Sequence, residues 1–125
     1  MWELSKTFRF EAAHTLKREI DAASSRRIHG HSYRAEVTIR GIAAPDTGMV
    51  IDLGILDQTL ESVRAHLDHT FLDEVSDLGP ATMENLSSWI WRQLAAVAPG
   101  LARVTVYRDS CGETCSYFGP VEHDR

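Results

Sequence analysis

His29 and His31 stand two residues apart in the run Ile28-His29-Gly30-His31-Ser32-Tyr33, and His14 closes an earlier run, Phe8-Arg9-Phe10-Glu11-Ala12-Ala13-His14. Three neutral imidazoles with a fourth position left open describe a catalytic zinc site more closely than a structural one. Imidazole suits other first-row metals too, so this ligand set favours zinc without dictating it. Leu67-Asp68-His69 places a carboxylate beside an imidazole, a pair that can move a proton when the acid orients the ring. Adjacent Asp and His residues are common by chance, and most are solvated surface residues. Glu84 and Asp109 are carboxylates able to accept two parallel N–H bonds from the edge of an amino-pyrimidine. Glu84 also suits the first turn of a helix, where the dipole favours an acid. His66 and His123 complete the six histidines.

Whether His14, His29 and His31 meet depends on the elements that carry them. From Trp2 to Phe10 the chain alternates, with Trp2, Leu4, Phe8 and Phe10 on one parity and Glu3, Ser5, Thr7 and Arg9 on the other. Ser32 to Arg40 alternates again, with Tyr33, Ala35, Val37 and Ile39 as the apolar set. Period two marks half-buried strands. An antiparallel pair joined through residues 15 to 28 sets the end of the first strand beside the start of the second. His14 shares the parity of Phe8, Phe10 and Ala12, and His29 and His31 share that of Tyr33 and Val37, so without a bulge all three rings reach the apolar face. Unrelated polar residues at strand ends give the same sequence pattern.

Pro45-Asp46-Thr47-Gly48 is turn chemistry, and Met49 to Asp52 reads as a short extended run. Leu53, Leu56, Leu60, Val63 and Leu67 then recur at helical spacing. A second helix follows from Thr82 as N-cap through Leu86, Trp89, Ile90, Leu94 and Val97 to the stop at Pro99-Gly100. Leu101 to Arg108 reads as a strand, and a last short strand lies around Cys115 to Phe118. The order ββααββ predicts an α+β domain over residues 1–125, a four-stranded antiparallel sheet with two helices on one face. The polar parity of the sheet either meets solvent or lines a barrel built from several subunits.

The composition of the 125 residues is that of an ordinary folded protein, 43% hydrophobic and 25% charged. A net charge of −5, from 13 basic and 18 acidic residues, is the reverse of the basic surplus of nucleic-acid binders. No apolar run reaches membrane-spanning length, and Met1-Trp2-Glu3-Leu4-Ser5-Lys6 lacks the layout of a signal peptide, so a cytoplasmic protein is expected. In that compartment Cys111 and Cys115 are expected to be reduced thiols.

Phe10-Glu11-Ala12-Ala13-His14, His29-Gly30-His31-Ser32-Tyr33, Gly48-Met49-Val50-Ile51-Asp52, Leu67-Asp68-His69 and Thr82-Met83-Glu84-Asn85 together resemble the successive signatures of the 6-pyruvoyl-tetrahydropterin and 6-carboxy-tetrahydropterin synthase family. The resemblance runs from Phe8 to Tyr117. It implies the tunnelling fold, oligomeric barrels (typically hexamers with active sites between subunits), and 7,8-dihydroneopterin triphosphate or a related reduced pterin as substrate. It also implies a lyase with zinc on His14, His29 and His31, the catalytic pair Asp68 and His69, and substrate contacts from Thr82, Glu84 and Asp109. Two positions depart from the family pattern. Ser25 stands where the catalytic cysteine usually lies, four residues before His29, and a hydroxyl is a far weaker base than a thiolate. Asp109 stands where glutamate is usual, and Glu113 is placed to take over its role. The expected reaction is therefore an altered one, such as side-chain cleavage. The alternative is a weak or inactive paralogue that binds a pterin or purine-like ligand.

Overall fold

Alternation of apolar and polar residues makes β1 (Trp2–His14) and β2 (His29–Gly41) the longest strands of the sheet. They pair antiparallel without interruption, from Trp2 opposite Gly41 to His14 opposite His29. The computed structural model describes residues 1–20 and 22–121, so His123 lies outside the described residues. The connection between β1 and β2 contains a short helix, α1 (Ala22–Arg26). Its two limbs are tied where the Leu16 N–H donates to the carbonyl of Ser25 at 2.8 Å.

After the turn at residues 45 to 48, the expected extended run does not become a strand. Asp52 instead caps α2 (Leu53–Leu67), its carboxylate accepting the Gly54 N–H at 2.8 Å. The chain then returns beside β1 as β3 (Thr70–Phe71), which pairs parallel through Ala12 and Thr70. Thr82 caps α3 (Met83–Leu94), accepting the Asn85 N–H at 3.1 Å. β4 (Leu101–Arg108) and β5 (Glu113–Tyr117) complete the sheet. The order is β3-β1-β2-β4-β5, five strands where four were expected, with one parallel pair. β3 was not legible because two residues show no alternation.

The core lies between one sheet face and the two longer helices. Leu56, Leu60, Val63 and Leu67 of α2 and Leu86, Ile90 and Leu94 of α3 pack with Phe10, Val37, Ile39, Val104 and Val106. These are the apolar parities read from the sequence, and each buried Leu or Ile adds roughly 1.5–3 kcal/mol of transfer free energy. The opposite sheet face is a polar lattice. Ser5 bonds Thr38 at 2.9 Å, Thr105 bonds Ser116 at 2.8 Å, and the Arg34 guanidinium stacks 3.7 Å over the Tyr107 ring. Among the described residues no helix is long and apolar enough to cross a membrane.

The register of β4 on β2 shifts between Thr38 and Ile39, and Gly100 fixes the strand's entry. The Arg40 N–H donates to the Gly100 carbonyl at 2.9 Å. Gly100 has φ +86°, and a Cβ there would lie 2.3 Å from the Arg40 carbonyl oxygen. Both the backbone region and the close approach require glycine. Gly100→Ala is expected to destabilise the fold by at least about 1–3 kcal/mol, the cost of the left-handed backbone alone. The measurement is a lower urea midpoint at unchanged slope, and an unchanged midpoint would contradict the assignment.

Candidate metal centre

The β1–β2 register places His14 directly opposite His29, and Ala12 opposite His31. The three rings stand nearly perpendicular, with centroids 4.5, 4.9 and 5.0 Å apart. One ligand nitrogen from each lies within 4.8 Å of the others. A carbonyl oxygen can only accept, so two tautomers are fixed by their neighbours. Nδ1–H of His14 donates to the Ala81 carbonyl at 2.8 Å, and Nδ1–H of His29 donates to the Arg27 carbonyl at 2.8 Å. Each ring is left with an unprotonated Nε2. That of His14 is fully buried and has no partner. An orphaned acceptor at the centre of three imidazoles is the arrangement a metal ion satisfies, and backbone carbonyls behind the rings are the usual way of orienting such ligands. The residues present therefore fit zinc or another first-row divalent ion.

Burial lowers the pKa of His14, and burial followed by the nearby Arg108 charge lowers that of His31 to about 4. Both effects favour the neutral, ligating form. Arg108 was not singled out from the sequence, although it shares the parity of Val104 and Val106 and is thus a charged residue on an apolar strand face. Its Nη1 lies 3.4 Å from Nε2 of His31, and its Nη2 lies 2.7 Å from the Glu113 carboxylate. The Tyr33 hydroxyl is buried among them without a partner, and burial raises its pKa to about 12.

Asp68 and His69 reach the site from the end of α2. The Asp68 carboxylate accepts the Glu11 N–H at 2.8 Å and an Arg64 N–H at 2.8 Å, and the Glu11 bond is the chief reason its pKa is lowered. His69 is held at φ 57°, a left-handed conformation, with its N–H donating to the Glu11 carbonyl at 2.6 Å. Its Nε2 is 3.7 Å from the Asp68 carboxylate, too long for a hydrogen bond. The ring is 80% exposed and lines, with Glu11, Gly30, His31 and Phe71, a groove of ≈ 650 Å³.

The remaining sequence candidates divide. Thr82, Glu84, Arg108 and Glu113 line a second cavity of ≈ 640 Å³, which Arg108 connects to the triad through its contact with His31. Asp109 is not among them. It faces the polar side of the sheet, where Arg34 grips it through two N–H groups at 3.0 and 3.2 Å and lowers its pKa. Ser25 is buried on α1 and lines neither cavity. Cys111 and Cys115 are free thiols, Cys111 exposed and Cys115 half-buried.

A family model described as 6-pyruvoyl tetrahydropterin synthase matches residues 3–120. A 6-carboxy-5,6,7,8-tetrahydropterin synthase from Synechocystis sp. is 37% identical over 126 residues, covering 96% of this chain and 95% of its own length. The human 6-pyruvoyl tetrahydrobiopterin synthase is 39% identical over 85 residues, covering 63% of this chain and 59% of its own. Among solved structures, the Caenorhabditis elegans 6-pyruvoyl tetrahydropterin synthase superposes with a TM-score of 0.81 at 27% identity, covering 95% of this chain and 96% of its own. Over nearly its whole length, by sequence and by fold, the chain belongs to the 6-pyruvoyl tetrahydropterin synthase family.

Proposed function

We propose that the protein is a zinc-dependent lyase that acts on 7,8-dihydroneopterin triphosphate or a related reduced pterin. The observation that carries this reading is the buried, partnerless Nε2 of His14 within reach of His29 and His31. Zinc held by His14, His29 and His31 would supply Lewis acidity toward the oxygens of the substrate side chain. The protein's own residues have separate roles. His69 moves protons along the substrate side chain, and Asp68, anchored by Glu11 and Arg64, sets the field in which it does so. Thr82 and Glu84 border the ring pocket. Of the two acids near the C-terminus, Glu113 rather than Asp109 lines the cavity shared with Thr82 and Glu84, and there it is paired with Arg108.

His69 is exposed in the single chain, which leaves room for a neighbouring copy beside it, and a homo-oligomer, a hexamer by family resemblance, goes with this reading. The second reading, a paralogue that binds a pterin or purine-like ligand without turnover, draws on Ser25 alone. A buried serine is a poor replacement for a catalytic thiol.

Incubation of zinc-loaded protein with 7,8-dihydroneopterin triphosphate, read by mass spectrometry, is expected to give a side-chain-cleaved or triphosphate-free pterin. Saturable binding without any product would favour the second reading. His29→Ala and His31→Ala are expected to lose both metal and product, and full metal retention in both variants would remove the proposed centre.

His69→Ala is expected to lose roughly 10²–10⁴ in rate, the usual cost of a general acid or base, with metal content and folding unchanged. Retained turnover would reduce the Asp68–His69 pair to a structural feature.

A pH dependence follows from His31. Its pKa falls from 6.5 to about 4 on folding, so between those values the unfolded chain binds more protons than the folded one. Stability is therefore full above 6.5 and is lost as pH falls toward 4. The melting temperature of metal-free protein is expected to drop between pH 7 and pH 4.5, and to drop less in His31→Gln. Parallel curves for the two proteins would refute the assignment.

A further inference from the structure

β4 carries Val104 and Val106 into the core, and the same parity brings Arg108 to the edge of the triad. The Arg108 side chain is only 14% exposed. Its Nη2 serves Glu113 at 2.7 Å, its Nη1 leans on Nε2 of His31 at 3.4 Å, and its Nε is buried with no partner. Native proteins leave few buried N–H groups unpaired, because each forfeits its bond to water. The contact with His31 also depends on that nitrogen keeping its lone pair. A metal that takes Nε2 removes the acceptor, so the loaded form has more unpaired guanidinium N–H than the free protein.

Charge leads to the same place. All three candidate ligands are imidazoles, which bring no negative charge to an ion, and Glu113, whose carboxylate acts on His31, already serves Arg108. A divalent ion beside a guanidinium leaves the site net positive, which an incoming anion would balance. A guanidinium has no acceptor at all. It therefore cannot take the N–H-rich edge of an amino-pyrimidine ring, whereas its fork matches the paired oxygens of a carboxylate or phosphate.

We propose that Arg108 is a specificity-determining residue that binds an acidic group of the substrate, a carboxylate or a phosphate, beside the histidine triad, with Glu113 positioning its guanidinium. This rests on the pterin reading above and adds to it an orientation within one cavity: the acid end of the ligand lies at its Arg108 end and the ring at its Thr82 and Glu84 end.

The test is calorimetric binding to wild type, Arg108→Gln, Arg108→Lys and Glu113→Gln, each metal-loaded and metal-free, with metal content measured in parallel. The probes are neutral 7,8-dihydroneopterin, its triphosphate, and a reduced 6-carboxypterin. Arg108→Gln is expected to weaken one acidic ligand roughly 10- to 100-fold, as loss of a charge-assisted bond does, while leaving the neutral pterin and the metal content nearly unchanged. The ligand that loses affinity identifies the group as carboxylate or phosphate. Arg108→Lys should fall between, because charge remains and the fork is gone. Should Arg108→Gln fail to fold, the lysine variant alone decides, by losing acidic ligands selectively or not. Glu113→Gln should narrow the preference for acid over neutral ligand without changing metal content. Equal losses for all three ligands, or none, would overturn the proposal. If wild type binds no pterin, the pterin reading falls, and glycolate and inorganic triphosphate replace the probes. Arg108-dependent binding of either anion then upholds the role of Arg108, and identical binding by wild type and Arg108→Gln overturns it.

Discussion

The register of β1 against β2 is the constraint on which the rest of this molecule depends. Side chains alternate across a strand, so a slip of one residue would turn every apolar side chain of one strand from the core to the polar face. It would also separate His14 from His29 and His31, which meet only because His14 is opposite His29. Core and site therefore share one determinant. The burial of Phe10, Tyr33, Val37 and Ile39 fixes the register, and the histidines sit on the same parity, His14 four residues after Phe10 and His31 and His29 two and four before Tyr33. Selecting for a stable sheet here also selects for a gathered triad.

The second layer of order is backbone hydrogen bonding behind the rings. Ala81 precedes α3, and Arg27 ends the β1–β2 connection, so two distant loops hold two imidazole tautomers through their carbonyls. Asp73 belongs to the same support, accepting from both the N–H and the hydroxyl of Thr15, immediately after His14. Four of the carboxylates near the site already have partners. Asp68 holds Glu11 and Arg64, Asp73 holds Thr15, Asp109 is gripped by Arg34, and Glu113 is paired with Arg108. None is a member of the triad, so the ligand set carries no negative charge of its own.

Much of this was legible in the sequence because periodicity reports burial. Period two located β1, β2 and β4, helical spacing located α2 and α3, and parity brought the three histidines to one face. β3 escaped because a pair of residues held by an edge of β1 has no pattern to show. Motif order pointed to Asp109 as a pocket acid, but its direction depends on the short turn between β4 and β5, and there it meets Arg34. Distance along the chain puts Ser25 near the triad; it is buried on a five-residue helix, and its carbonyl accepts the Leu16 N–H, two residues after His14. Arg108 was visible as a charge among buried valines, a signal that only becomes meaningful once the strand's inward face is known.

The tie between Leu16 and Ser25 has a further consequence, for the way the chain closes on itself. The strands of the hairpin are separated by residues 15 to 28, and drawing together the ends of so long a loop costs chain entropy before the sheet repays it. His14 and His29 stand at those two ends. An ion that binds the gathered imidazoles but not the open chain adds stability by mass action, and it does so at the mouth of the loop, where a crosslink has the most freedom to remove. With such an ion bound, ligation and loop closure would share the same three side chains, and a replacement that spoiled one would loosen the other.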